Sequence, residues 1–235
     1  MNLYEDERLA DMPDGALRPG GLGLTRELIR LSGLAPGSSV LDVGCGFGRS
    51  AGFLASVGYD VTGIDISEKL IKQASERFPE VRFSTADAAK MPFEASRFDA
   101  VIFECVLSLI DTHSALREAR RVLRPGGVLL VSDVFSGIDG HRAEAKYFLE
   151  PSDFNGQLVN LDFEVSAAED RTGVLRDFYA QLIMSTGSAD SILRCDERAA
   201  IKRIKPRYLL MTCHRVTGET VADDLPQSRL VTQSR

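Results

Sequence analysis

Val40-Leu41-Asp42-Val43-Gly44-Cys45-Gly46-Phe47-Gly48 is the stretch whose reading decides the fold. An apolar run holding one carboxylate reads as a strand, and it passes straight into three alternating glycines. From Gly48 to Val57 the apolar residues Ala51, Phe53, Leu54 and Val57 recur at helical spacing. Glycine is needed where φ is positive or where a ligand must lie against the backbone. The turn would stand at the carboxyl end of the first strand, the edge at which open α/β sheets bind ligands. Seventeen residues past Gly48 a second apolar run ends in Gly63-Ile64-Asp65. A carboxylate there can accept both hydroxyls of an adenosine ribose. A dinucleotide turn wants G-x-G-x-x-G, whereas the spacing here is G-x-G-x-G followed by Arg49. That tighter turn suits a ligand without a pyrophosphate and disfavours a nicotinamide-dependent dehydrogenase.

Outward from this turn, strands are expected at 40–43, 60–64, 81–85, 100–103 and 128–134, with helices at 48–57, 68–78 and 114–123 between them. Arg124-Pro125-Gly126-Gly127 is expected to stop the third helix. The alternation predicts an α/β fold with a doubly wound, mostly parallel sheet covered on both faces. A helix at 22–31, ended near Gly33 and Pro36, precedes the unit. Two further strands, 163–165 and 208–213, follow it and bracket helix-like segments at 172–185 and 190–204. Residues 1–217 are read as one domain, with a core at 22–135 and a helical insertion at 172–204. About 33 residues are too few to sustain a core of their own, so the insertion is expected to cover the acceptor site or to mediate dimerisation. Residues 218–235 read as a frayed tail.

Composition narrows the function. With 44% hydrophobic and 26% charged residues, collagen-like, disordered and coiled-coil classes are excluded. Thirty-four acidic against 28 basic residues give a net charge of −6, the opposite sign to a sequence-independent nucleic-acid binder. The basic cluster Arg194, Arg198, Lys202, Arg203, Lys205 and Arg207 reads as a solvated helix face. The longest apolar run, 100–110, is interrupted by Glu104 and falls short of a membrane span. The acidic N-terminus lacks an apolar signal region, so a cytoplasmic monomer or homodimer is expected. Cys45, Cys105, Cys195 and Cys213 form no C-x-x-C pair, and neither a zinc site nor a disulfide framework is indicated.

Taken jointly, the acidic-x-G-x-G-x-G turn, Asp65 closing the second strand, Ala86-Asp87-Ala88 after the third and Leu123-Arg124-Pro125-Gly126-Gly127 before the fifth resemble a class I S-adenosylmethionine-dependent methyltransferase of the small-molecule type. The resemblance runs from about Leu22 to Val216 and implies a seven-stranded sheet with the last strand antiparallel. It implies that Gly44, Cys45 and Gly46, in the turn that Asp42 opens and Gly48 closes, line the methionine part of S-adenosyl-L-methionine. Asp65 would hold the ribose, Ile66 would cover the adenine, and Asp87 with Ala88 would meet its edge. The acceptor would be a small molecule.

Methyl transfer from a sulfonium depends on positioning, so no dedicated base is required. Candidate catalytic groups are sought after the fourth and fifth strands. Glu104 interrupts an apolar run and must face a ligand, a partner or water; it is also a candidate cofactor contact. Asp133 could act or could cap the following turn. His141, in the next loop, could serve as acid or base. His113 reads as exposed and His214 as part of the last strand. Glu104-Cys105-Val106-Leu107-Ser108-Leu109 also resembles arsenite methyltransferases, in which a cysteine at the position of Cys105 binds the metalloid. No further cysteine stands between Cys105 and Cys195, and buried packing is the competing reading of Cys105. A cofactor-binding protein of the same fold without transferase activity is the alternative from another class.

Overall fold

The structure, a computed structural model, describes residues 18–140, 148–186 and 203–217. Helix α1 (Gly21–Ser32) comes first and ends where Gly33 turns left-handed at φ 65°. Strand β1 (Ser39–Val43) runs through the glycine turn into α2 (Arg49–Ser56). Strand β2 (Asp60–Asp65) leads to α3 (Glu68–Arg77), whose Ser67 cap accepts from the Leu70 amide. Then follow β3 (Arg82–Thr85), β4 (Phe98–Glu104), a 3-10 turn at Leu107–Leu109 and α4 (Thr112–Val122). Strand β5 (Leu123–Phe135), α5 (Pro151–Asn160), β6 (Phe163–Asp170), α6 (Thr172–Thr186) and β7 (Arg207–Arg215) complete the described chain.

The seven strands form one sheet in the order β3-β2-β1-β4-β5-β7-β6. Strands β1 to β5 pair in parallel, while β7 is antiparallel to both β5 and β6. The expected seven-stranded architecture, with 208–213 entering antiparallel, is therefore present. Strand order reverses between β1 and β4, so their carboxyl ends open at a topological switch point.

Period-2 alternation sorts the strand residues into two cores. Leu41, Val43, Val101, Phe103, Leu129 and Val131 face one way, against Leu116 of α4 and Phe154 of α5. Val40, Ala100, Ile102, Leu130, Tyr208 and Leu210 face the other, against Leu24 and Leu28 of α1, Leu54 of α2 and Leu175 of α6. The near-continuous apolar strands in the sequence reflect burial on both faces.

Three details differ from the sequence reading. Helix α4 begins at Thr112 rather than Ser114. The β4–β5 ladder already pairs Phe98 with Leu123, and the chain bulges through 124–127 before pairing resumes at Val128 with Ala100. Arg124 of that excursion is tied back by an ion pair to Asp99. Helix α5 was not expected at all. It starts with Pro at its first turn and docks through Phe154 and Leu158, with Phe154 edge-on to Phe135 at a centroid distance of 5.3 Å. Of the expected second insertion helix, residues 190–202 lie outside the described residues, as do His141 and the tail 218–235. No helix among the described residues is long and apolar enough to cross a membrane.

The docking of α5 makes a simple contrast testable. Leu158 is fully buried and Val159, its chain neighbour, is 64% exposed. Chemical denaturation should show Leu158→Ala losing about 2–5 kcal/mol of stability and Val159→Ala changing it by less than about 0.5 kcal/mol.

Candidate functional site

The three glycines of the turn all take the left-handed conformation, with φ of 70° at Gly44, 52° at Gly46 and 74° at Gly48. Two of them are required sterically as well. A Cβ on Gly44 would lie 2.5 Å from Val106 Cγ2, and one on Gly48 would lie 2.7 Å from Phe83 Cζ. At Gly46 the corresponding space is open. The amides of Gly44 and Cys45 both donate to the Ile64 carbonyl, at 2.8 and 3.0 Å, which stitches the turn to the end of β2.

Asp65 completes that stitch. One carboxylate oxygen accepts from the Gly46 amide and the other from the Ser67 amide, each at 2.9 Å. A carboxylate has about four acceptor positions, so hydrogen-bonding capacity is left for a ligand. Ile66 beside it is 74% exposed, an apolar surface standing free next to a polar one. Asp87 is exposed after β3 and accepts from the Ala89 amide at 2.8 Å, while Ala88 packs partly against the core.

Parity places Asp42 and Glu104 on the α1–α2 face of the sheet, beneath the turn. Glu104 finds a partner there: Arg18 Nη1 donates to its Oε1 at 2.8 Å. Arg18 is itself buried and also donates to the Gly21 carbonyl, Thr25 Oγ1 and Ser50 Oγ at 3.1, 2.6 and 2.8 Å. Thr25 Oγ1 donates on to Glu104 at 3.1 Å. Burial opposes the charged guanidinium, but Glu104 with Tyr208, Cys105 and Asp42 outweighs it and raises the Arg18 pKa. This cluster was the part the sequence reading missed. Arg18 and Glu104 are 86 residues apart, and no local signal joins them.

Asp42 is the unsatisfied member. It is 3% exposed, and its Oδ2 has no hydrogen-bond partner. Burial, together with the negative charge of Glu104, pushes its pKa up to about 8, against the pull of Arg18 and the Ala51 amide. An orphaned buried carboxylate oxygen beneath an open glycine turn fits a ligand that brings a cation.

The remaining candidates are placed differently. Asp133 lies on the opposite face, wholly buried, and accepts from the Ser108 and Val134 amides at 3.2 and 2.7 Å. It pins the turn after β4. Cys105 takes φ 57° at the end of β4, with its sulfur 3.2 Å from the Tyr208 hydroxyl, which donates to Ser132 Oγ. Burial pushes the Cys105 thiol up and keeps it protonated, a poor state for ligation. No group of three His, Cys, Asp or Glu side chains that could hold a metal occurs among the described residues. His113 is exposed and His214 lies in β7.

The Asp42 shift has a sign that can be checked. Its folded pKa lies above the ordinary 3.8, so its contribution to stability is fully present below about pH 4 and lost as the pH rises through about 8. Thermal melts of the ligand-free protein should therefore show Asp42→Asn gaining on the wild type between pH 5 and pH 8.5. A constant gap would contradict the assignment.

Comparison with known proteins agrees with this geometry. Residues 41–131 match the family described as methyltransferase domain. The O-methyltransferase cnsE of Penicillium expansum is 41% identical over 123 residues, 48% of this chain and 44% of that protein. The chain spans about half or less of the length of the curated relatives it matches first. A geranyl diphosphate methyltransferase, solved with its substrate and sinefungin, superposes with a TM-score of 0.74 at 18% identity, covering 89% of this chain and 94% of that one. The [4+2]-cyclase SpnF shares the fold at a TM-score of 0.69 and 24% identity, covering 83% and 81%. Fold by itself therefore does not dictate the chemistry. Residues 41–131 thus resemble the methyltransferase-domain family, and the seven-stranded sheet is the fold of the solved methyltransferases on which the chain superposes.

Proposed function

We propose that the protein transfers a methyl group from S-adenosyl-L-methionine to a small-molecule acceptor. The observation that carries this reading is the unpartnered, buried Asp42 oxygen beneath three left-handed glycines, flanked by Asp65 and the exposed Ile66. Gly44, Cys45 and Gly46 would meet the methionine part, with Asp42 offering its free oxygen to the ammonium side. Asp65 would take the ribose hydroxyls, Ile66 the adenine face, and Asp87 with Ala88 the adenine edge.

S-adenosylmethionine held there would supply an electrophilic methyl group, carried on a cationic sulfur, to a nucleophilic acceptor. The chain's own residues contribute position and a dry setting. Glu104, held by Arg18, is a positioning residue under the turn. Asp133 shapes the 3-10 segment that follows β4, and His141 is the candidate acid or base. Helix α6 packs Leu175 on the α1 face and ties Arg171 to Glu27 of α1. Residues 172–186 thereby form the described part of the cover over the site in this reading. Cys45, Cys105 and Cys213 are free thiols, in keeping with a reducing, cytoplasmic setting, and the protein works as a monomer or homodimer. The geranyl diphosphate methyltransferase neighbour lends support to a small acceptor.

Titration calorimetry should give saturable binding of S-adenosylmethionine or its demethylated product and none of NAD. The reverse pattern would sink the reading. Asp65→Ala removes a carboxylate whose hydrogen bonds are charge-assisted and should weaken cofactor binding at least tenfold, about 1.4 kcal/mol or more. Methyl transfer from labelled cofactor to a metabolite panel then tests the activity itself. Hydrogen exchange tests the cover: protection in 172–186 should rise with cofactor and acceptor. Protection that follows protein concentration alone would make this segment a dimer interface.

A further inference from the structure

Residues 86–97 join β3 to β4 without a helix or a ladder strand of their own. The backbone groups such a segment turns inward must be satisfied by something else. At its start the Ala86 amide donates to the Asp65 carbonyl at 3.0 Å, so the segment leaves the sheet beside the ribose candidate. The Lys90 amide then donates to the Asp87 carbonyl at 3.0 Å, and the Ala89 amide to Asp87 Oδ1 at 2.8 Å. Asp87 and Ala88 therefore stand in a closed turn.

The far end of that turn is held by two side chains of α4. Arg121 Nη1 donates to the Phe93 carbonyl at 2.6 Å, and Nη2 donates to the Met91 carbonyl at 2.9 Å. Glu118 Oε2 accepts from the Met91 amide at 2.7 Å. The pair is also locked to itself, with Arg121 Nε and Nη2 donating to Glu118 Oε1 and Oε2, each at 2.7 Å. Hydrogen bonding by Arg121 holds the Glu118 carboxyl below its usual range, against burial. Below the clamp Met91 is buried, and Phe93 stands edge-on to Phe98 at a centroid distance of 5.1 Å.

As a contribution to α4 alone this pair would matter little, since partly exposed ion pairs three residues apart are weak. Its reach is what distinguishes it. A planar guanidinium can meet two carbonyls and a carboxylate at once, which a single ammonium centre does not reproduce. An adenine edge pairs a donating amine with an accepting ring nitrogen, so reading it takes an acceptor and a donor at a fixed spacing. Such spacing depends on the residues that support the contact.

Resting on the methyl-transfer reading above, we infer that Glu118 and Arg121 are positioning residues for the cofactor's base: they fix the turn at 86–93 so that Asp87 and Ala88 meet an adenine edge in register. Specificity for adenine is thereby set in part from α4, through the backbone at Met91 and Phe93.

The test titrates the full chain with S-adenosylhomocysteine and with S-inosylhomocysteine, in which a carbonyl replaces the exocyclic amine. The wild type should bind the adenine form at least tenfold more tightly. Arg121→Met keeps the apolar stem and removes the donors, and should reduce that ratio to about threefold or less. Glu118→Gln, which keeps an acceptor for the Met91 amide but loses the charge that holds Arg121, should lower it in the same direction. Leu158→Ala, which destabilises the protein far from this turn, should leave the ratio unchanged, as a merely structural effect would not discriminate between bases. Failure of both ligands to bind the wild type would overturn the methyl-donor reading and this proposal with it. Binding by the wild type without base preference would overturn the proposal alone, whatever the folding of the variants. So would a ratio that both α4 variants leave untouched, or one that Leu158→Ala lowers equally.

Discussion

The buried ion pair between Arg18 and Glu104 is the constraint around which the carboxyl edge of the sheet is arranged. Glu104 sits at the end of a strand whose other residues are apolar, at a position that parity turns toward α1. Left alone there, its charge would cost several kcal/mol, and removal of one member of a buried pair typically costs about 3–5 kcal/mol. Arg18 meets that demand from the other end of the chain. In doing so its guanidinium also engages α1 through Thr25 and α2 through Ser50. One cation thereby ties the first two helices to the carboxyl end of β4, where the sheet reverses its order.

Arg18 does not serve every acid in its neighbourhood. Asp42 stands on the same face, two strand positions below the left-handed Gly44, and keeps one oxygen without a partner. The cluster is balanced when Asp42 is protonated, and a cationic ligand group is what would favour its ionised form. Asp65 contributes differently. Its carboxylate is already oriented by the Gly46 and Ser67 amides, so the direction of its remaining acceptor positions is set in advance. Preorganisation of this kind lowers the entropy lost on binding.

On the opposite face the same strand ends do a different job. Asp133, one residue past Ser132, points away from Arg18 and holds the Ser108 amide. That contact shapes the 3-10 turn that runs from β4 toward α4. Adjacent residues of β5 thus serve two sides of the sheet, Ser132 toward Tyr208 and Asp133 toward the 3-10 turn. The alternation of strand side chains makes this division unavoidable.

The features legible in the sequence were local ones. Alternating glycines at 44, 46 and 48 mark a turn in which each of those positions can take positive φ. The spacing of apolar residues marked the five parallel strands and the helices between them. Asp65 was recognisable because it closes a strand. Helix α5 was not legible: Asn155 and Gly156 are poor helix formers, and only Phe154 and Leu158 mark its buried face, too few for a periodic signal. Its stability comes from docking on Phe135, which no window of sequence contains. The same holds for the pairing of Arg18 with Glu104, the orphaned oxygen of Asp42, and the fate of Cys105 against Tyr208. Periodicity and turn chemistry are properties of neighbouring residues, so the sequence by itself determined the elements and the turn. Burial and hydrogen-bond satisfaction are properties of residues far apart in the chain, and only the packed sheet decided which charges are paired and which are left without a partner.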